Sequence, residues 1–203
     1  GYHHAAVAAL EGALACRPDV AVVHYNLSIA RERQGDFQGA LDSARKAVRV
    51  GPSNADAWGH LGRLEQKAGR YDEADRCFCM ALKVDRRFSK ARYDLALLRL
   101  TEKRYGEAVT GLETLVSNGA SDARIHVALA LAHMGLGNAV RAEAECRIAL
   151  SLDPMHLDAH NTHGLALRHL GRREEAVSAY KRAIALAPTD FTAHNNIGIC
   201  YAD

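Results

Sequence analysis

The fold is decided by residues 55–88, which read ADAWGHLGRLEQKAGRYDEADRCFCMALKVDRRF. In the first half, Trp58, Leu61 and Gly62 recur at steps of three and four residues, which is the spacing of one face of an α-helix. Gly69 then supplies the residue without a Cβ that helix C-termini favour. A second apolar helical face follows, made by Ala74, Cys77, Phe78, Ala81 and Leu82. The stretch therefore predicts two helices joined by a tight turn.

This pattern recurs along the chain at one fixed period. The step from Pro18 to Pro52 equals the step from Pro154 to Pro188. At the same period one column holds only alanine: Ala6, Ala40, Ala74, Ala108, Ala142 and Ala176. One helix pair cannot bury both of its apolar faces alone, so a period of this length indicates units that stack on one another. No segment alternates with a period of two, and no strand is predicted.

These residues resemble the tetratricopeptide repeat (TPR) family. Trp58, Leu61 and Gly62, then Ala74 and Phe78, match the family signature at its own spacing. The resemblance implies an all-α fold, an α-solenoid of helix-turn-helix repeats that forms a right-handed superhelix. It divides 1–203 into a single array: a half repeat 1–20, repeats 21–54, 55–88, 89–122, 123–156 and 157–190, and a partial repeat 191–203. Both ends cut through a repeat, so we expect an excerpt of a longer protein, whose identity the match does not reveal.

Composition narrows the class of partner. The 203 residues carry 26 Lys and Arg against 24 Asp and Glu, so the surface lacks the net positive field of a nucleic-acid binder. No stretch approaches the length of a membrane span, so no membrane insertion is expected. Five scattered cysteines are an odd number without paired motifs, which indicates reduced thiols and a cytoplasmic location.

The repeat that begins at residue 89 departs most from the pattern. Lys103 replaces the turn glycine, Leu115 replaces a small residue, and Ala120 replaces the proline. One interpretation is simple drift between repeats. The other is a looser turn around residues 116–124, which would change the superhelical pitch locally.

The sequence predicts no metal, no cofactor and no catalytic residue. His160 and His163 share a helix face with His156 nearby, as zinc ligands can, but no carboxylate or thiol completes the set. His160 also belongs to a column that recurs once in each repeat, which indicates a packing role; that column includes His24, Trp58, His126 and His194. Cys77 lies on an apolar helix face, and Cys146 and Cys200 lie in columns that are otherwise apolar, so these three cysteines are expected to behave as small apolar residues. We therefore expect a protein that is not an enzyme.

The resemblance places a ligand-binding concave wall on the second, fifth, ninth and twelfth residues of each first helix. Large apolar and basic residues fill these columns or adjacent ones, and we predict that they bind the partner: Tyr25, Arg63, Lys67, Lys90, Tyr93, Leu97, Leu100, Arg124, Val127, Leu131 and Met134. An apolar strip with a basic rim suits a protein or peptide segment with apolar anchors and acidic residues. An alternative stays open, in which the apolar ninth residues only seal neighbouring helices: Ile29, Leu97, Leu131, Leu165 and Ile199.

The function predicted from the sequence is a protein–protein interaction scaffold. It would bind a partner peptide or subunit on its concave surface, within a multiprotein assembly of which it is a possible subunit. The alternative is the substrate-recognition TPR arm of a larger enzyme, such as a protein O-linked N-acetylglucosamine transferase, whose family carries an asparagine ladder. The corresponding column here reads Asn26, His60, Asp94, Ala128, Thr162 and Asn196. Helical-repeat RNA readers are disfavoured by the TPR signature and the balanced charge.

Overall fold

The computed structural model describes residues 2–202 as twelve α-helices, with no strand in that range. The helices are α1 (Tyr2–Cys16), α2 (Ala21–Gln34), α3 (Phe37–Val50), α4 (Ala55–Lys67), α5 (Tyr71–Val84), α6 (Ser89–Thr101), α7 (Tyr105–Ser117), α8 (Ala123–Gly135), α9 (Ala139–Leu152), α10 (Leu157–His169), α11 (Arg173–Leu186) and α12 (Phe191–Ala202). The even-numbered helices begin at residues 21, 55, 89, 123, 157 and 191. The predicted all-α class and helix-turn-helix period are confirmed. Among the described helices, none combines the length and apolarity needed to cross a bilayer.

The helices divide into two compact units, the first ending at Leu98 and the second beginning at Arg99, both within α6. In the first unit, Leu41 and Leu64 lie in one buried cluster and Phe78 in another. In the second unit, Cys146 lies in a buried cluster with alanines of α8 and α10, and Tyr180 packs near the end of α12. The three cysteines that were expected to behave as small apolar residues are buried: Cys77, Cys146 and Cys200.

Small residues allow an aromatic ring to lie directly on the first helix of a repeat. A Cβ added to Gly62 would stand 2.7 Å from the ring of Phe78, and one added to Gly164 would stand 2.6 Å from the ring of Tyr180. Both distances are too short for a real contact, so the glycine is required there. At Gly198, which shares the column, an added Cβ meets nothing within 4 Å.

The turn between the two helices of a repeat needs a left-handed residue. Gly35 has a φ of 90°, and Gly69, Gly137 and Gly171 each have a φ of 75°. Lys103 occupies the same place with a φ of 60° and is the only non-glycine residue with a positive φ among residues 2–202. Drift in this repeat has therefore changed the residue without changing the backbone conformation, at a steric cost.

A side-chain hydrogen bond recurs where one repeat joins the next. The fourth residue of the first helix donates to the carbonyl oxygen six residues earlier, in five of the six first helices. The bonds are His24 Nε2 to Pro18 (2.7 Å), Trp58 Nε1 to Pro52 (2.8 Å), Arg92 Nη2 to Arg86 (2.6 Å), His160 Nε2 to Pro154 (2.9 Å) and His194 Nε2 to Pro188 (2.9 Å). A carbonyl can only accept, so each of these histidines carries its proton on Nε2. What the repeats share in this column is therefore a hydrogen-bond donor rather than a residue type.

The exception is His126, where the preceding turn differs. The α7–α8 connection leaves five residues between the helices, 118–122, whereas α5–α6 leaves four, 85–88. Gly119 adopts a φ of 88°, and His126 donates from Nδ1 to Glu145 instead, over 2.7 Å. The turn around residues 118–122 is thus longer by one residue, and the change in superhelical pitch stays a prediction.

A buried glutamate paired with two partly exposed arginines stands where the family usually has an aromatic residue. Glu65 is 2% exposed, and its carboxylate contacts Arg45 Nη2 at 2.9 Å and Arg70 Nε at 2.5 Å. Burying an unpaired carboxylate would destabilise the fold, so the fold tolerates Glu65 at this place because the two arginines compensate its charge. These three residues link α3, α4 and the start of α5 within the first unit.

Candidate functional site

The second unit contains a groove of about 320 Å³ along the first helices α8, α10 and α12. Its lining residues are Val127, Leu131, Leu157, Asp158, Asn161, Thr162, Leu165, Asp190, Thr192 and Asn196. Val127 and Leu131 were predicted as partner-binding residues, and both lie in this groove. The groove thus has an apolar side from α8 and a mixed polar side from α10 and α12.

The apolar side of the groove has a buried base and an exposed edge. Val127 is 6% exposed and lies in a buried cluster with Ala149 and Ala159, so most of its side chain seals neighbouring helices. Leu131, one helical turn later, is 42% exposed. The other apolar ninth residues are half-buried: Ile29, Leu97, Leu165 and Ile199. The other ninth residues are thus partly covered, whereas Leu131 keeps apolar surface that none of the described helices covers.

The polar side of the groove is organised around Asp190. Asn161 Nδ2 donates to Asp190 Oδ2 over 2.7 Å, and the backbone N–H of Thr192 donates to Oδ1 over 3.1 Å. The hydrogen bond from Asn161, and then those from the backbone at the start of α12, hold the pKa of Asp190 below its ordinary value. Asp190 is therefore a carboxylate that accepts from both groups.

This contact fixes the orientation of the Asn161 amide. A carboxylate only accepts hydrogen bonds, so the NH₂ group must face Asp190 and the amide oxygen must face away from it. That Oδ1 atom is buried and has no hydrogen-bond partner among residues 2–202. Leaving a buried acceptor unsatisfied costs about 1–3 kcal/mol. A residue held at such a cost within a groove is a candidate for ligand binding.

The charge of the groove is negative, which differs from the predicted basic rim. Asp158 is exposed and Asp190 is ionised, and no Lys or Arg lines the groove. Arg124, predicted as part of the rim, forms an ion pair with Asp122 at 2.5 Å. That hydrogen bond lowers the pKa of Asp122, so the pair is charged and nearly neutral as a whole.

In the first unit, the predicted cations mostly connect helices to one another. Arg63 on α4 pairs with Asp94 on α6 at 3.3 Å. Lys67 on α4 pairs with Glu32 on α2 at 2.5 Å. Lys90 is exposed and forms no ion pair within residues 2–202. Of the four predicted basic residues, only Lys90 is therefore left without a carboxylate.

The remaining predicted residues are partly covered. Tyr25 is half-buried and stands edge-on to His60, with ring centroids 5.8 Å apart. Met134 packs against the buried cluster of Cys146. Tyr93, Leu97 and Leu100 are half-buried on α6. The predicted set is shared between the units: Tyr25, Arg63, Lys67, Lys90, Tyr93 and Leu97 in the first, and Leu100, Arg124, Val127, Leu131 and Met134 in the second. As a binding surface, it stays a prediction.

The first unit also contains a serine, histidine and carboxylate set that the sequence did not single out. His60 Nε2 lies 2.8 Å from Ser28 Oγ, and its Nδ1 lies 4.0 Å from Glu32. Ser28 donates its proton to the carbonyl of Ala40, so it must accept from His60 Nε2–H. Burial lowers the pKa of His60 to about 4, and Ser28 is fully buried. The ring nitrogen that would have to remove a proton already carries one, so this set cannot activate the serine.

The three histidines considered as zinc ligands have separate partners. His160 donates to Pro154, His156 Nδ1 accepts from the N–H of Ala159 at the start of α10, and His163 lies 3.5 Å from Glu143. Within residues 2–202 no group of three or more His, Cys, Asp or Glu is arranged to hold a metal ion. These histidines cap and join helices.

Three residues of the groove that were not predicted to bind a partner follow the same column rule. Asp158, Asn161 and Leu165 hold the second, fifth and ninth places of α10. Arg124, Val127 and Leu131 hold those places in α8, and only they were selected because they are basic or apolar. Applying the rule by position rather than by residue type would have identified α10 as the opposite side.

Comparisons with protein families agree with the repeat. A model described as a tetratricopeptide repeat matches residues 3–55, 25–74, 60–112 and 93–156. A second model, described as a TPR repeat, matches residues 164–203. Together these matches cover most of the chain.

Individual relatives share the repeat at low identity. An uncharacterised protein of Methanocaldococcus jannaschii is 30% identical over 71 residues, which are 35% of this chain and 83% of that protein. The peroxisomal targeting signal receptor of Eremothecium gossypii is 31% identical over 95 residues, which are 47% of this chain but 17% of the receptor.

Two solved structures superpose over most of this chain. YrrB, a TPR protein described as having an unusual peptide-binding site, has a TM-score of 0.79 at 21% identity and covers 92% of this chain and 96% of its own. MamA from Desulfovibrio magneticus has a TM-score of 0.77 at 23% identity, with 84% and 97% covered. At these identities the likeness shows the fold alone, an all-α repeat. Together with the family models, it shows that the chain belongs to the tetratricopeptide repeat family.

Proposed function

We propose that this chain is a protein-binding scaffold and that the groove along α8, α10 and α12 holds an extended segment of a partner protein. TPR proteins generally mediate protein–protein interactions, and the fold is typically a non-catalytic scaffold. The observation that carries the proposal is the exposed apolar side chain of Leu131, opposite an asparagine whose buried amide oxygen has no partner. Apolar pockets with a few convergent polar groups are the usual form of a binding site.

An extended segment supplies what both sides of the groove need. Its apolar side chains alternate with outward ones, so one anchor can cover Leu131 and Leu165. Its backbone N–H groups are hydrogen-bond donors, and the exposed Asp158 carboxylate in the groove is an acceptor for them. Asn196, which also lines the groove, offers a second amide. Truncating an apolar anchor in such a site typically costs about 2 kcal/mol or more.

The charge of the groove bears on the chemistry of the segment. Asp158 and Asp190 favour an uncharged or basic residue beside the anchor, whereas an acidic residue would meet two carboxylates. The acidic partner expected from the sequence depended on cations that are mostly paired within the chain. We therefore propose an apolar segment with a neutral or basic flank for this groove.

The test is a selection of random linear peptides displayed on phage against the full chain, followed by fluorescence polarisation with the selected peptides. We expect Leu131→Ala to weaken binding by at least about tenfold, as loss of a buried anchor does. The matched control is Leu136→Ala, because Leu136 is an exposed leucine just after α8 that does not line the groove.

Two further results decide the proposal. In a selected peptide, replacing a basic residue beside the apolar anchor with Glu should weaken binding to the parent chain. The loss of affinity caused by that Glu should be smaller when the chain carries Asp158→Asn. If the selection enriches no peptide, or if Leu131→Ala and Leu136→Ala bind the peptides as tightly as the parent, the groove is not the binding site.

A further inference from the structure

The outer face of α9 carries an apolar stripe that no other part of the described chain covers. Val140, Ala144, Ile148 and Leu152 follow one another at every fourth residue, so they share one side of the helix. Val140 is 67% exposed, Ile148 and Leu152 are each 42% exposed, and Ala144 is also exposed. The opposite side of α9 is fully buried through Ala142, Cys146 and Ala149. This helix is therefore apolar on both sides.

Apolar residues at the first three places of the stripe are not a requirement of the repeat, whereas the place of Leu152 is also apolar in α3, α5 and α11, where it holds Val50, Val84 and Leu186. The places of Val140, Ala144 and Ile148 hold mainly polar residues in four other second helices: Gln38, Asp42 and Lys46 in α3; Asp72, Arg76 and Met80 in α5; Gly106, Thr110 and Thr114 in α7; and Glu174, Ser178 and Arg182 in α11. In α1 the same places hold His4, Ala8 and Gly12. The fold is thus compatible with polar residues at all three places. Packing within the array does not explain why α9 is apolar there, and exposed contiguous apolar surface marks an interaction site.

The charges beside the stripe indicate the chemistry of what covers it. Arg141 and Arg147 are exposed and form no ion pair within residues 2–202. Both carboxylates of α9 are engaged elsewhere: Glu145 accepts from His126 at 2.7 Å, and Glu143 lies 3.6 Å from Arg172 and 3.5 Å from His163. The exposed side of the helix therefore presents apolar surface and two unmatched positive charges.

We propose that the α9 face, defined by Val140, Ala144, Ile148 and Leu152, docks an amphipathic helix of a partner protein whose apolar side is flanked by carboxylates. Side chains spaced by four residues form a ridge that fits the groove of another helix. Carboxylates on that helix would pair with Arg141 and Arg147. A second copy of this chain is a poorer occupant, because its own α9 would bring two more arginines while its Glu143 and Glu145 stay engaged. This surface is separate from the groove along α8, α10 and α12.

The test is a yeast-displayed library of single helices with randomised surfaces, selected against the full chain. The comparison protein carries Val140→Glu, Ala144→Ser and Ile148→Arg, which are the residues that α11 has at these places. We expect the parent to enrich helices with apolar residues at every fourth position and acidic flanks, and the triple variant to bind them at least tenfold more weakly. Circular dichroism should show the same helix content and melting temperature for both proteins.

A second variant keeps the apolar stripe and changes only the charges. The double variant Arg141→Glu with Arg147→Glu should bind the acidic helices about tenfold more weakly at low salt and should prefer versions of these helices with Lys flanks. Leu131→Ala should leave helix binding unchanged, which separates this surface from the peptide groove. Equal binding of the selected helices to parent and triple variant, or no enrichment at all, would overturn the proposal. Sedimentation that shows parent dimers abolished by the triple variant would assign the face to a second copy instead.

Discussion

Replacing Lys103 with glycine should stabilise the protein, although the change removes a whole side chain. Lys103 lies in the turn between α6 and α7 with a φ of 60°, where the equivalent turns have glycine. Its side chain is exposed, so little packing is lost. In the left-handed conformation the Cβ of an L-residue crowds the following carbonyl oxygen, and glycine has no Cβ.

The magnitude follows from two opposing terms. The left-handed conformation costs a non-glycine residue about 1–2 kcal/mol. Glycine makes the unfolded chain more flexible, which offsets about 0.4–1 kcal/mol of the gain. The net increase in the free energy of unfolding is therefore about 1 kcal/mol. For a chain of this length that corresponds to a rise in melting temperature of about 2–4 °C.

The measurement is urea denaturation followed by circular dichroism, supported by calorimetry. The matched control is Gly69→Lys, which places the same side chain at the equivalent turn, where φ is 75°. It should lower the free energy of unfolding by about the amount that Lys103→Gly raises it. If Lys103→Gly is less stable than the parent, or if Gly69→Lys is as stable as the parent, the turn does not carry this strain.

Three further predictions concern the interior. Gly164→Ala should lower the free energy of unfolding by about 1–3 kcal/mol because its Cβ would meet the adjacent ring, whereas Gly198→Ala should not destabilise; thermal melts compare them. His60 stays neutral in the fold down to a pH of about 4, while an unfolded histidine protonates near its ordinary pKa of 6.5, so the unfolded chain gains protons first. His60 therefore contributes about 3 kcal/mol to the free energy of unfolding above pH 6.5, and this contribution is lost as the pH falls to about 4. Urea titrations should show a smaller loss of stability with falling pH in His60→Leu. Arg45→Ala should cost about 2 kcal/mol by leaving Glu65 poorly compensated, whereas Glu65→Leu should change stability by less than about 1 kcal/mol.

The helices and turns of the fold could be predicted because the same sequence pattern occurs once in every repeat. The prolines, the turn glycines and the alanine column share one period, and the first helices begin where that period places them, even in repeats that lack one of these residues. Lys103 shows why single departures are harder: the sequence reveals the substitution but not that the backbone keeps its left-handed turn.

The candidate site could be predicted only in part. The positions of Val127 and Leu131 within the repeat were enough to predict them as groove residues, because helical spacing alone decides which side of α8 they occupy. The pairing of Arg63 with Asp94, which lies on a helix of the next repeat, depends on side-chain rotamers and on the distance between two helices. No sequence period reports such distances. The net charge of the predicted binding surface therefore depends on which ion pairs form, and the residue types alone do not reveal this.

The hydrogen bond from the fourth residue of a first helix to the carbonyl six residues before it, which five of the six first helices form, also bears on how such arrays change length. Donor and acceptor lie within seven consecutive residues, so a duplication of one whole repeat copies a complete junction wherever it starts outside that segment. Histidine, tryptophan and arginine all serve as the donor here, which lets the residue type change while the junction persists. A duplicated repeat would therefore keep this hydrogen bond at each new junction.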